Sequence, residues 1–275
     1  MKRFFKNFAF TSGLILTVLL VASALAAPLL APYDPNVQDT SRRLEGPSKE
    51  HLLGLDDLGR DVLSRIVYGS RVSLRVGFSV VILASLVGVT LGAISGYFGG
   101  IVDVLIMRLC DILLAFPGIL LAIALVAVLG PSLNNVILAL AVIGWVGYAR
   151  LVRGQVLKVR EMEYITAAQA LGARSLRIIT LHVLPNVINP VIVMATLGLA
   201  GAILAEAALS FLGLGVQPPT PSWGAMLTSG RRYLGLANHL AIYPGIAIML
   251  AVMGLNFLGD GLIDALDPKY RKEVR

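Results

Sequence analysis

Charge is what this sequence has least of. Only 14% of its 275 residues are Asp, Glu, Lys or Arg, against about 25% in soluble domains, which argues against a soluble globular enzyme. Disorder needs low hydrophobicity and high charge; 57% of the residues are hydrophobic and mean hydropathy is +0.82. The single cysteine, Cys110, rules out an internal disulfide and a cysteine-based metal site. His51, His182 and His239 are scattered without ligand spacing, so no metal site is expected. No Ser–His–acid arrangement points to hydrolysis. There is no Gly-Lys pair, so a phosphate-binding P-loop is absent. The chain carries no visible catalytic chemistry, and no cofactor is expected on it.

What it has is long runs without charge. There are 27 uncharged residues between Lys6 and Asp34, 27 between Arg75 and Asp103, 38 between Asp111 and Arg150, 28 between Arg177 and Glu206, and 27 between Arg232 and Asp260. A transmembrane helix needs about 20 apolar residues. Gly130-Pro131 and Asn134-Asn135 divide the longest run into two helices and a turn. The pattern predicts an all-α polytopic membrane protein with six helices, near 10–31, 73–98, 103–129, 133–151, 187–213 and 239–263. The Glu206–Arg231 gap is also uncharged, but Pro218, Pro219 and Pro221 forbid a continuous helix, so it reads as a loop.

The net charge of +7 does not point to nucleic acid, because the basic residues follow membrane topology. With both termini cytosolic, 13 basic residues fall inside, nine outside, and Arg108 within a span. That bias favours a cytosolic N-terminus, weakly, because the first external loop is itself rich in Arg. Lys2-Arg3 followed by an apolar run and Ala24-Leu25-Ala26 has the look of a cleavable signal, but Phe8–Leu30 is longer than a signal core. Either reading leaves residue 34 outside.

Ionisable groups inside spans are costly and often functional. Asp103 sits at the start of the third predicted helix, and Arg108 and Asp111, three residues apart, share a face; they read as an interfacial ion pair that fixes helix depth, or alternatively as groups with a direct role in transport. Asp260, Asp264 and Asp267 form an acidic row at the end of the sixth, stopped by Pro268, and call for a partner cation. Glu206 lies about five turns into the fifth helix. It faces either a water-filled path or a polar partner in a neighbouring helix, and with Ser210 and Phe211 it is a candidate for the path or gate.

The segment between helices four and five is about 35 residues long, with helical composition at Ala167, Ala168, Ala170 and Leu171 and with Gly172 directly after. Ser175 is placed to cap a second helix that Pro185 delimits. The alternative is an amphipathic helix resting on the membrane. Thr166-Ala167-Ala168, three residues, Gly172, nine residues, then His182-x-Leu184-Pro185 resembles the cytosolic signature of ABC importer permeases, Glu-Ala-Ala-x3-Gly-x9-Ile-x-Leu-Pro. Thr166 stands for Glu and His182 for Ile, so no acid role passes to Thr166. Residues 51–65, Leu209–Gly224 and Gly259–Pro268 resemble the C-type subunit of the dipeptide/oligopeptide/nickel branch; Gly54-Leu55-Asp56 replaces its Gly-Thr-Asp.

The resemblance implies a type I importer permease fold and a location in the bacterial or archaeal plasma (inner) membrane. It divides the chain into a first helix and external loop (1–72) and a five-helix core (73–275) with a coupling loop at about 152–186. Glu163, Tyr164, Ile165, Thr166, Ala167, Ala168, Ala170, Leu171 and Gly172 would dock an ATPase. The implied partners are a homologous second permease, two ATP-binding subunits that hold ATP and magnesium, an extracytoplasmic substrate-binding protein and the lipid bilayer. The implied cargo is a di- or oligopeptide, with nickel chelates or glutathione as alternatives. Gly198, Gly201, Gly213 and Gly215 would allow close packing and bending, and Arg60, Asp61 and Arg65 either meet the binding protein or form a membrane-surface helix. A secondary transporter is disfavoured, since the acids lie at helix ends and no internal repeat is visible.

Overall fold

The computed structural model describes residues 8–266, with side chains through Asp264. The expected basic ends (Lys2, Arg3, Lys6, Lys269, Arg271, Lys272, Arg275), Asp267 and Pro268 lie outside the described residues. The elements are helical throughout: α1 (Phe8–Leu25), α2 (Ala27–Leu30), α3 (Val62–Phe98), α4 (Gly100–Leu114), α5 (Gly118–Leu129), α6 (Leu133–Arg160), α7 (Glu163–Ala170), α8 (Ser175–Ile178), α9 (Leu184–Phe211), α10 (Trp223–Gly230) and α11 (His239–Leu266). Five are long and apolar enough to cross a membrane, and the bent pair α4–α5 passes the same test when taken together.

The bundle is organised around α3 and α6, its most extensive pairing. Gly88, Gly92 and Gly96 recur every four residues on one stripe of α3, so three missing side chains line up. A Cβ at Gly88 would collide with the Trp145 carbonyl, one at Gly92 would lie 2.5 Å from the Ala149 oxygen, and one at Gly96 would lie 2.8 Å from Val156 Cβ. The backbones therefore touch, as small-residue stripes allow in lipid, where apolar surface alone gives no reason to associate. The helices run parallel, so the start of α3 and the end of α6 lie at opposite ends of the molecule. α9 packs on α3, α6 and α11, and α1 packs along α11 through Gly13, Gly254 and Gly261.

Several boundaries differ from those read in the sequence. The second span starts at Val62 rather than 73, so the division at 72/73 falls inside a helix; Asp61 caps it, accepting from the Ser64 N–H at 2.8 Å. The third span is not one helix: α4 and α5 meet at 85°. Pro117 causes this, since it donates no N–H and disfavours helical backbone at Phe116. The fourth span runs on to Arg160. Pro185 does not delimit a helix, and Ser175 makes no cap bond. Residues Ile179–Val183 form a π turn that leads without a break into α9. This wider turn makes room for the proline ring, and Asn186 donates to the His182 carbonyl at 2.6 Å. The proline-rich loop after α9 holds the short helix α10.

Gly92→Leu is expected to force α3 and α6 apart and lower stability by about 1–3 kcal/mol or more. Gly154→Ala, inside α6 with nothing within 4 Å of the added methyl, should not destabilise and should add up to about 0.5–1 kcal/mol through helix propensity. Thermal unfolding of the detergent-purified chain, followed by size exclusion, separates the two.

Candidate functional site

At one end, α6 passes through Glu161 and Met162 into α7. Of α7's residues only Ile165 is buried, in the apolar cluster that holds Val156, Val159 and Ile178. Ala168 is half-buried, while Glu163, Thr166, Ala167 and Ala170 are exposed, as are Tyr164 and Leu171, the last at 88%. Gly172 has φ +78°, donates to the Gln169 carbonyl at 2.9 Å and ends the helix in the left-handed conformation expected past a helix end. The result is a short helix pinned by Ile165, with Ala168 packed partly beside it, and otherwise presented outward. Leu176 and Leu181 (74% and 59% exposed) extend the apolar surface, the kind of patch that marks a protein contact.

At the opposite end, residues 31–61 and 212–238 form a cap. Asp56 accepts from the backbone N–H groups of Leu58 and Arg60 at 2.9 Å and from Arg60 Nε at 2.7 Å. Arg65 donates to the Pro35 carbonyl at 2.8 Å, and His51 Nδ1 lies 3.0 Å from Asp61 Oδ1. Arg60, Asp61 and Arg65 are at most 7% exposed. They are therefore neither a docking surface nor a membrane-surface helix; they tie the loop to the start of α3. On the cap's surface, Arg42 holds the Glu45 carboxyl below its ordinary value through a hydrogen bond, and Ser41 does the same for Asp39. Both contacts are in place above the carboxylate range and are lost as pH falls through it.

Trp223 ties the second half of the cap to α3. Its indole N–H donates to the Ile66 carbonyl at 2.9 Å, and its ring lies where a side chain on Gly69 would be. Gly224 lets α10 press against α9 at Ala207 and Ser210. Glu206 is fully buried at this junction and accepts from Ser210 Oγ at 2.6 Å. Phe211 is half-buried with the Arg231 guanidinium 4.8 Å from its ring centre. The polar partner that Glu206 finds is Ser210, on its own helix rather than a neighbouring one.

Between the ends lies a groove of about 570 Å³, walled by Val80, Val81 and Ala84 of α3, Gly118 and Ile119 of α5, Leu140, Ile143, Gly144 and Tyr148 of α6, and Met194, Leu197, Gly198, Gly201, Ala202 and Ala205 of α9. It contains no charge, and Tyr148 brings its only hydroxyl. Glu206, Ser210 and Phe211 are not among its lining residues. A second groove of about 430 Å³ adjoins it at Met194 and Leu197. The glycines expected to permit packing divide: Gly198 abuts the Tyr148 hydroxyl and Gly215 abuts Ser210, Gly201 borders open space, and Gly213 turns the chain at φ +82°. The stripe on α3 was missed, although its four-residue spacing is plain in the sequence.

Residues 88–272 match the family described as the binding-protein-dependent transport system inner membrane component. The chain belongs to that family of ABC importer permeases. Residues 1–47 match the N-terminal transmembrane domain of oligopeptide transport permease C. The dipeptide transport system permease protein DppC of Alkalihalophilus pseudofirmus is 51% identical over 98% of this chain and 89% of its own length. The glutathione transport system permease protein GsiD of Pectobacterium atrosepticum is 45% identical over 98% and 90%. The di/tripeptide permease DppC of Pseudomonas aeruginosa is 46% identical over 98% and 93%. In structure, the inward-facing MetNI methionine ABC transporter aligns at TM-score 0.58 over 74% of this chain and 96% of its own, with 19% identity, and so shares the fold. This permease is a multi-pass plasma-membrane subunit of a transporter whose ATPase resides in other subunits.

Trp223→Phe removes the bond to Ile66 and should cost about 1 kcal/mol, whereas Trp223→Ala should cost about 3–5 kcal/mol. Limited trypsin digestion at the exposed Arg231 and Arg232 reads the loosening of the cap directly, and equal cleavage in all three proteins would refute it.

Proposed function

We propose that this permease carries short peptides into the cell, as one of two homologous membrane subunits driven by two ATP-binding subunits that hold ATP and magnesium. The observation that carries this is α7: a helix anchored by Ile165, with Ala168 packed beside it, and with Tyr164, Leu171 and the small Ala167 and Ala170 turned outward, is built to be gripped by another protein. The end bearing α7 is cytosolic with both termini, and the cap faces an extracytoplasmic binding protein. The groove is this chain's half of the path. A wall without charge and with four glycines makes no demand on the side chains passing it, which suits peptides of varied sequence. The dipeptide and di/tripeptide names of the relatives agree. Glutathione, itself a tripeptide, is the second reading, favoured by the relative that is 45% identical.

Alternating access then requires the grip on α7 to move α6 and α9, to which it is joined on either side, about the path shared with the second permease. Gly172 gives the end of α7 its shape. No atom lies near its missing side chain, so a substitution there acts through the backbone, at about 1–2 kcal/mol for a left-handed residue.

The test is ATP-driven uptake of radiolabelled dialanine by the assembled complex in proteoliposomes, with Gly172→Asp as the variant. Uptake should collapse while the subunits still co-purify; unchanged uptake would sink the coupling role. Competition by glutathione at concentrations where dialanine competes would move the assignment to the second reading.

A further inference from the structure

α4 leaves α3 at Gly99 and Gly100 and lies across α6, and two ion pairs hold it there. Asp103 takes Arg153 through both oxygens, at 2.5 and 2.6 Å, and accepts from Ser95 Oγ of α3 at 2.5 Å. Two turns further along α4, Asp111 takes Arg150 at 2.6 Å. Asp111 therefore pairs across to α6 rather than with Arg108 on its own helix, and Arg108 is exposed. A bidentate guanidinium–carboxylate pair fixes orientation as well as distance. Between the two pairs, Met107 and Cys110 of α4 join the apolar cluster that also takes Ile165 of α7.

We infer that Asp103–Arg153, supported by Asp111–Arg150, is a transmission clasp: it makes α4 move with α6 and α7, and through the 85° elbow it moves α5, whose Gly118 and Ile119 form one lip of the groove. The inference rests on the import reading above. Arg150 and Arg153 are one turn apart on α6, while Asp103 and Asp111 lie about 12 Å apart along α4. Two attachments so spaced resist rotation of α4 about its crossing point, which one attachment does not. Arg153 is thus a positioning residue: it lies outside the groove lining, and it decides whether displacement of α7 and α6 also reaches the α5 lip of the groove.

The experiment measures dialanine uptake and ATP hydrolysis together in the reconstituted complex. In Arg153→Ala and Asp103→Ala, uptake per ATP hydrolysed should fall about tenfold, within the usual range for coupling between sites, while hydrolysis continues. Arg153→Lys should recover part of it, and the exchanged pair Asp103→Arg with Arg153→Asp should recover most. Wild-type uptake per ATP in Arg153→Ala overturns the clasp. A second measurement needs no clasp variant: with spin labels at the exposed Ile101, Lys158 and Met249, trapping the ATP state with vanadate should change the 101–249 distance and leave 101–158 constant. A changed 101–158 distance overturns the clasp even if the alanine variants fail to assemble. Absence of ATP-driven uptake in the wild type overturns the import reading instead, and the spin-label distances still decide whether α4 travels with α6.

Discussion

The backbone contact between α3 and α6 is the constraint on which the rest depends. In hydrocarbon, burying apolar surface against another helix gains little over lipid, so association comes from close packing. Gly88, Gly92 and Gly96 supply it by leaving no side chain where the Trp145 carbonyl, the Ala149 backbone and Val156 lie. Because the stripe extends to the last turn of α3, it holds α6 in register to its C-terminal turns. Those turns carry α7 on one side and receive α4 on the other.

Polar groups are distributed to match. At the cap, Asp56, Arg60, Asp61 and Arg65 pair with one another and with nearby side chains and backbone, two acids against two bases, so their burial fixes a loop with their charges balanced. At the α7 end, the two α4–α6 ion pairs are partly exposed, placed where water lowers the cost of charge. Between them the groove wall has only apolar groups, glycine backbone and the Tyr148 hydroxyl. The groove wall thus neither attracts nor rejects a particular charge, as the proposed peptide path requires.

Much of this was legible in the sequence, for reasons that can be named. Span number follows from charge spacing, because a charge in hydrocarbon is too costly to occur at random. The end of α7 at Gly172 follows from the backbone preference of glycine. The elbow at Pro117 and the π turn before Pro185 were not read correctly, because a proline's effect depends on whether neighbouring turns can widen or must break. Arg108 and Asp111, compatible by spacing, parted because Arg150 lies within reach of Asp111 from another helix. Glu206 stood out as a charge within a span, and only its packing against α10 shows that it is enclosed.

The sequence by itself determined an all-helical, multi-span chain with a short glycine-ended helix between two of its spans, and the family to which it belongs. Those properties are local, resting on runs of hydropathy and on residues whose backbone preferences act where they stand. Tertiary structure alone decided which charges pair, that the cap residues are buried, and that a charge-free groove separates the two ends. Each of these joins residues distant in the chain, such as Asp103 with Arg153 or Trp223 with Ile66, and helix spacing says nothing about which neighbour a side chain will meet.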